Sequence, residues 1–341
     1  MASGWTADDV PGWERLTLPL GPDDDGPVAT LVRVAAPPPG PDTRPAVLHV
    51  HGYNDYVFQA HVAAALAERG YAFYGLDLRR CGRSRRPGEV AHFTTDLAEY
   101  RADLDAAMGA VRDAGHPWVA VSGHSTGGLV AALWAAARPA GTAPAGPDAL
   151  VLNSPWLSLN GRWWRRATQA AAAAVVGRVA PLRPVERGGG SAYQRQLHVA
   201  NGGLWAYDLA RKPPGGFPVR AGWLRAAVRG QRAVARGLAL DVPVLVCTSA
   251  SYGPNRDDNP DLRRQDTVLD LSHTWRLAPR LGPDVTAVRI ENGVHDLSLS
   301  ADRAREDYLR TVLDWLDAHT RPAPAPGGHA GTAMADPRDA P

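Results

Sequence analysis

Gly123-His124-Ser125-Thr126-Gly127-Gly128 is the segment of this 341-residue chain whose residue types and spacing best suit chemistry. A serine with a glycine two places to either side matches G-x-S-x-G, the composition of a tight turn from a strand into a helix. Residues 118–122 before it read as a strand and 129–137 after it as a helix. A Cβ two places before or after the serine would collide with the neighbouring strand or helix, so small residues are needed at Gly123 and Gly127. Such a turn lifts the Ser125 hydroxyl above the sheet. It also aims the Thr126 backbone N–H, at the helix N-terminus, toward a developing oxyanion. The competing reading is a plain turn in a glycine-rich chain.

A serine hydroxyl is a poor nucleophile at neutral pH and needs a base. Of the 11 histidines, His295 is the best placed. It lies in Asn292-Gly293-Val294-His295-Asp296-Leu297, between a strand at 285–290 and the last helix, which puts it at the same sheet edge as Ser125. An imidazole in that role needs a carboxylate to fix its tautomer. The loop after the strand at 242–248 offers Asp257, Asp258, Asp261, Asp266 and Asp270. Asp266 is chosen because it directly precedes a short apolar turn leading to a helix near Ser272; Asp270 is the second choice. Asp257-Asp258-Asn259 has the composition of a calcium loop but no regular ligand spacing. A second oxyanion donor is expected after the strand at 46–50, where the chain reads His51-Gly52-Tyr53. The Tyr53 N–H is the choice. Gly52 lets the chain pass close to the substrate, and His51 is expected to be hydrogen-bonded beneath the site. There is no metal-ligand spacing and no phosphate-cradling glycine motif beside a strand, so neither metal nor cofactor is expected. Gly188-Gly189-Gly190 reads as a flexible loop.

The elements that must position these groups follow a rhythm. Alternating apolar stretches at 15–20 and 28–35, broken by the turn composition of 21–26, predict a hairpin at a sheet edge. A strand at 46–50 is followed by a helix at 59–69 closed by Gly70, and another apolar run spans 71–78. Leu97, Tyr100, Leu104, Met108 and Val111 recur at helical steps, and 149–153 is again a strand. The rhythm stops after Asn160. It resumes with 242–248, a helical stretch at 272–281, 285–290, and a last helix at 301–319 with the stripe Tyr308, Leu309, Val312, Leu313, Leu316. Strand and helix in alternation predict an α/β fold with a doubly wound, mostly parallel sheet. The expected organisation is a first core part at 1–159, an inserted cap at 160–240, a second core part at 241–320 and a disordered Pro-, Ala- and Gly-rich tail at 321–341. No internal repeat is visible.

With 45% hydrophobic and 21% charged residues, the chain can build a packed core, and wholesale disorder is excluded. No apolar run approaches the roughly 18–20 residues of a membrane-spanning helix. Residues 1–11 hold acidic residues and no apolar segment, so no secretory signal is expected. Two cysteines, Cys81 and Cys247, exclude a disulfide framework and a conventional structural zinc site. A reducing, cytoplasmic compartment is the expectation. A net charge of +2 does not argue for nucleic acid. Its distribution is uneven: residues 160–240 hold 14 Lys and Arg against Glu186 and Asp208. That basic segment is a candidate for contact with an anionic substrate or a membrane surface, the alternative being a solvated face. Lys212 is the only lysine in the chain.

The order Ser125, Asp266, His295 is that of the α/β-hydrolases, and the chain resembles that fold. Within it, the chain resembles the serine-aminopeptidase-like group that includes monoacylglycerol lipases and lysophospholipases. Leu76-Asp77-Leu78-Arg79-Arg80-Cys81-Gly82-Arg83-Ser84 is similar to that group's strand-end segment ending in Gly-x-Ser, and His92-Phe93-Thr94-Thr95-Asp96 to its following motif. The likeness covers roughly 28–160 and 240–318. It implies Ser125 as nucleophile, Asp266 as acid, His295 as base, and Tyr53 and Thr126 as oxyanion donors. The group is named after peptidases, yet many members cleave esters, and the first reading here is hydrolysis of a small-molecule ester with a lipophilic or mid-chain acyl group. The segment at 160–240 corresponds in position to the lid of such lipases but departs from any recognisable lid sequence. Its Trp163, Trp164, Trp205, Trp223, Tyr193 and Tyr207 are read either as a roof over an acyl pocket or as the segment's own small core. Other readings of the same residues are an aminopeptidase or amidase, which needs acidic groups to hold a free amine where this segment is basic, an acyltransferase, or a catalytically silent binding protein. Ser125 argues against chemistry that uses an aspartate nucleophile.

Overall fold

The computed structural model describes residues 4–21, 26–35, 42–139, 141–142, 144–186 and 191–320. The middle of the turn at 22–25, the Gly188–Gly190 run and the tail at 321–341 lie outside the described residues. Strands β1 (Thr6–Ala7), β2 (Trp13–Pro19) and β3 (Val28–Val34) form an antiparallel ribbon, with Leu16 opposite Leu31. The ribbon joins β4 (Ala46–Val50), β5 (Ala72–Asp77), β6 (Val119–His124) and β7 (Ala149–Asn153). Two short strands, β8 (Pro184–Glu186) and β9 (Val219–Arg220), make a separate pair. Strands β10 (Val244–Ser249) and β11 (Val285–Ile290) complete the main sheet. Its order is β1-β2-β3-β5-β4-β6-β7-β10-β11, parallel from β5 to β11. The expected edge hairpin is therefore β2–β3, and the expected parallel body is β4 to β7 with β10 and β11.

The central strands β4, β6 and β7 are buried at every position, which is why they read as continuous apolar runs rather than alternations. Successive side chains enter opposite layers. Leu48, Leu150 and Leu152 pack with Leu104, Met108, Val111, Leu129 and Trp134 on one face. Val47 and Val151 pack with Ala63, Leu66, Tyr308, Val312 and Leu316 on the other. The first layer is built by α2 (Tyr100–Asp113) and α3 (Thr126–Ala136), the second by α1 (Ala60–Glu68) and α8 (Asp302–His319). Gly70, at φ +80°, ends α1 as its sequence position suggests.

Between β7 and β10 lie α4 (Trp163–Val179), α5 (Ala192–Leu197) and α6 (Ala221–Arg236). Helix α4 packs closely on α6: a Cβ at Gly177 would come within 2.5 Å of the Ala221 carbonyl oxygen. Helix α6 also serves the sheet, since its Ala226 and Val234, with Leu240 just beyond its end, are buried in the same core as α2 and α3. It brings the chain back to a parallel strand, and such a crossover must cover the sheet face. The helical stretch expected at 272–281 is shorter: α7 (Leu271–Leu277) tightens into a 3₁₀ turn at Ala278–Arg280, where Pro279 removes a helix donor. Among the described residues no helix is long and apolar enough to cross a membrane.

Candidate active site

Strand β6 ends at His124 and α3 begins at Thr126, so Ser125 alone makes the corner. Its φ of +51° and ψ of −115° are costly for a residue with a side chain. The corner is held on both sides: the Ser125 N–H donates to the Asn153 carbonyl at 2.9 Å, and the Trp156 N–H donates to the Ser125 carbonyl at 3.0 Å. The glycines are required by close approach. A Cβ on Gly123 would lie 2.7 Å from the Gly128 Cα, and one on Gly128 would lie 3.0 Å from the Pro155 Cβ. Helix α3 starts three residues earlier than the sequence pattern suggested, because Thr126, Gly127 and Gly128 are wound into it by this packing despite the low helix propensity of glycine.

His295 sits in the loop after β11, buried. Its Nε2 is 3.0 Å from Ser125 Oγ and its Nδ1 is 2.8 Å from Asp266 Oδ2. Nδ1 carries a proton to donate to the carboxylate, which leaves Nε2 to accept from the serine hydroxyl. Asp266 is fully buried. Its other oxygen, Oδ1, accepts from the backbone N–H groups of Val268 at 2.7 Å and Leu269 at 2.9 Å. The apolar turn after Asp266 thus clamps the carboxylate. The other acids of this loop are engaged elsewhere: Asp257 with Arg195, Asp258 with Arg256, Asp261 with Arg264, and Asp270 with the Ser272 hydroxyl and His273. The Asp257-Asp258-Asn259 segment spends both carboxylates on arginines.

Gly52 brings the exit of β4 against the serine corner: a Cβ there would be 3.1 Å from His124 Cδ2 and 3.3 Å from Ser125 Cβ. Tyr53 follows it directly. His51 is buried beneath, accepting at Nε2 from the Leu78 N–H at 3.2 Å and donating from Nδ1 to the Gly52 carbonyl at 2.7 Å. His124 is enclosed with its ring centroid 4.9 Å from that of His295, and burial pushes its imidazole down to about 3, so the ring is neutral.

Behind Ser125 and His295 lies a polar network in which Asn153, Asp296 and Asp55 were given no role in the sequence reading. Asp296 Oδ1 accepts from Asn153 Nδ2 at 2.8 Å, from the Ser298 N–H at 3.0 Å and from the Ser298 hydroxyl at 2.7 Å. The Asp296 N–H donates to the Tyr193 hydroxyl at 2.9 Å. Ligand-type atoms of Asp55, His124 and Asp296 lie within 4.8 Å of one another. The positive charge beside them is the Lys212 ammonium, which donates to Asp55 Oδ1 at 2.7 Å. The adjacency of Asp296 to His295 and the solitary lysine were the only signals in the sequence.

The six aromatic residues expected to act together divide. Tyr193 stands edge-on to the His295 ring, 5.8 Å between centroids. Trp223 is buried against Tyr53 at 4.3 Å and stacks on Trp156 at 5.6 Å. Trp205 donates from Nε1 to the Leu299 carbonyl, and Tyr207 packs on Phe58. Trp163 and Trp164 instead face solvent, Trp163 at 74% exposure. A separate surface cavity of about 400 Å³ between α2, α3 and α6, lined by Leu97, Val130, Arg229 and Arg232 among others, includes none of the residues around Ser125.

A family model described as serine aminopeptidase, S33, matches residues 41–300. Among solved structures, the chain is similar to a soluble variant of monoglyceride lipase from Saccharomyces cerevisiae in complex with a substrate analogue. The identity is 18%, the TM-score 0.64, and the match covers 90% of this chain and 97% of that one. It is also similar to a monoacylglycerol lipase from Paleococcus ferrophilus, with 18% identity, a TM-score of 0.59 and coverage of 82% and 97%. Est1E from Butyrivibrio proteoclasticus aligns at 16% identity and a TM-score of 0.53 over 89% and 98%. At these identities the likeness is one of fold. No curated protein matches the chain in sequence.

Proposed function

The chain belongs to the serine aminopeptidase S33 family of α/β-hydrolases, and we propose that it is a serine hydrolase that cleaves carboxylic esters through an acyl-enzyme on Ser125. The observation that carries this reading is the unbroken hydrogen-bond chain from Asp266 through His295 to Ser125. In the first step Ser125 Oγ adds to the ester carbonyl carbon while its proton passes to His295 Nε2. Asp266 holds the resulting imidazolium. The carbonyl oxygen, now an oxyanion, takes hydrogen bonds from the Tyr53 and Thr126 N–H groups. Collapse breaks the bond to the alcohol oxygen, which leaves with the proton from His295. Water then gives its proton to His295, adds to the acyl carbon and releases the acid, and Ser125 recovers its proton.

In this reading residues 160–240 act as the cap. Tyr193, Trp205, Tyr207 and Trp223 supply apolar surface for a lipophilic or mid-chain acyl group. The outer face of α4 meets a lipid surface: Trp163, Val175 and Val179 are 74%, 64% and 74% exposed, with Arg162, Arg165 and Arg178 beside them. The abundance of arginine and the near-absence of acids in this segment disfavour an aminopeptidase, which must hold a free amine. Two free, buried cysteines, Cys81 and Cys247, support a cytoplasmic setting.

The test is a series of p-nitrophenyl esters of increasing acyl length, with a fluorophosphonate probe and aminoacyl-naphthylamides alongside. Wild type should hydrolyse the esters and be labelled by the probe, and Ser125→Ala should do neither. Ester turnover undiminished in Ser125→Ala rejects the nucleophile. Naphthylamide cleavage exceeding ester cleavage rejects the ester preference.

A further inference from the structure

One lysine stands among 37 Lys and Arg residues, and it is buried at 6% exposure. Lys212 lies in the loop leading to β9. Its ammonium donates to Asp55 Oδ1 at 2.7 Å and rests over the rings of Phe58 and Tyr207, 4.9 and 5.3 Å from their centroids. Asp55 Oδ1 also accepts from the Tyr56 N–H at 2.9 Å. The same segment binds the neighbouring residues one by one. The Tyr53 hydroxyl donates to the Pro218 carbonyl at 3.0 Å. Asn54 donates from Nδ2 to the Pro213 carbonyl at 3.2 Å and accepts at Oδ1 from the Phe217 N–H at 3.1 Å. The Asp208 N–H donates to the Tyr56 hydroxyl at 2.7 Å. All four residues from Tyr53 to Tyr56 are thus tied to 208–218. Asn54 is held at φ +53°, a left-handed backbone that a non-glycine residue adopts at a cost.

A buried ion pair is a weak source of stability, because an apolar pair of the same shape often does as well. Its return must lie in geometry. A compact ammonium fits between two rings and one carboxylate oxygen, whereas a guanidinium presents a planar fork made for a bidentate partner. This accounts for a lysine in a chain that otherwise uses arginine throughout. We propose that Lys212 is a positioning residue: through Asp55 it holds the loop at 53–56 so that the Tyr53 N–H faces the oxyanion formed at Ser125. The proposal rests on the reading of Ser125 and Tyr53 given above.

The test compares wild type, Lys212→Met, Asp55→Asn, the double variant, Asn54→Gly and Ser125→Ala on p-nitrophenyl butanoate, together with inhibition by an alkyl trifluoromethyl ketone, which forms a tetrahedral adduct. Lys212→Met should lower kcat roughly 30-fold or more, the scale of a displaced oxyanion donor. KM should move less than about threefold, and the ketone should weaken in step with kcat. The double variant should lose no more than the worse single one. A folded Lys212→Met enzyme with kcat within about twofold of wild type, or with its loss confined to KM, overturns the proposal. Should Lys212→Met not fold, Asn54→Gly decides: it keeps the left-handed backbone but drops both side-chain ties. A kcat lowered by about tenfold at constant KM supports the proposal, and an unchanged kcat overturns it. Activity surviving in Ser125→Ala would reject the parent reading, whereas an inactive Ser125→Ala beside an unaffected Lys212→Met rejects the role of Lys212 alone.

Discussion

A Cβ on Gly127 would sit 2.3 Å from the carbonyl oxygen of His51. This closeness joins the first turn of α3 to the exit of β4, and with it the serine corner to the loop that carries Tyr53. Nothing on the far side can yield cheaply, because the contact is with backbone. Gly127→Ala should therefore destabilise the protein by about 1–3 kcal/mol, the usual cost of overpacking. It should also lower ester hydrolysis in the fraction that folds, since the loop and the corner must part. Denaturant midpoints and kcat measured on the folded variant check this. A variant as stable and as active as wild type would show that the two segments can separate without consequence.

Asp266 and Asp270 lie four residues apart, and only Asp266 reaches His295. Asp266→Asn keeps the shape but offers an amide N–H or carbonyl in place of a carboxylate. The imidazole is then free to turn its proton toward Ser125. A fall in kcat of about 10³–10⁴ is expected, with KM little changed. Asp270→Asn, which changes contacts with Ser272 and His273 in the first turn of α7 and with Tyr252 but none with His295, should stay within a few-fold of wild type. Steady-state kinetics on one ester separate the two, and a larger loss at Asp270 would reassign the acid.

The alternation of apolar runs with helical segments was enough to read β4 to β7, α1 to α3, β10, β11 and α8. The central strands are buried on both faces and read as unbroken apolar runs, while α2 and α8 bury one stripe at helical spacing. Ser125, His295 and Asp266 were legible for a related reason: their loops follow strands, and strand ends of a parallel sheet share an edge. The polar network behind them was not legible. Asn153 meets Asp296 across 143 residues and Lys212 meets Asp55 across 157. No local pattern encodes such a pairing. Trp163 and Trp164 show the opposite limit, since large apolar side chains read as interior are placed on an outer face. Pro279 and the glycines after Ser125 shifted helix ends in opposite directions, one by removing a donor and the other by packing that overrides propensity.

The exposed face of α4 gives a measurement independent of catalysis. Trp163, Val175 and Val179 project from the protein, and aromatic and branched side chains flanked by arginines favour an anionic lipid interface. Co-sedimentation with vesicles of phosphatidylglycerol and phosphatidylcholine should retain wild type at low salt. Trp163→Ser combined with Val179→Ser should reduce retention several-fold while leaving hydrolysis of a water-soluble short-chain ester unchanged. Retention that is equal in both proteins would assign this face to another use.

Arg83 ties the amino-terminal ribbon to the site, and its pairing with Asp8 makes stability depend on acid. The guanidinium donates from Nε and Nη2 to the two oxygens of Asp8, each at 2.8 Å, and from Nη1 to Asp77 at 3.0 Å. Asp77 in turn accepts from the Val57 N–H at 2.8 Å, just beyond the loop held by Lys212. Burial pushes the Asp8 carboxyl up, but the hydrogen bonds and charge of Arg83 outweigh it and hold the group at about 2, below its ordinary 3.8. A carboxyl depressed in the folded state contributes stability that is fully present above its unfolded value and is lost as pH falls through the folded one. Asp8→Asn should therefore cost about 2 kcal/mol near pH 7. The gap between the two proteins should stay constant down to about pH 5, narrow from about pH 4, and close toward pH 2. Urea unfolding at pH 7, 5, 4 and 3 measures it. A gap that does not narrow below pH 4 would mean that Asp8 contributes by shape rather than by charge.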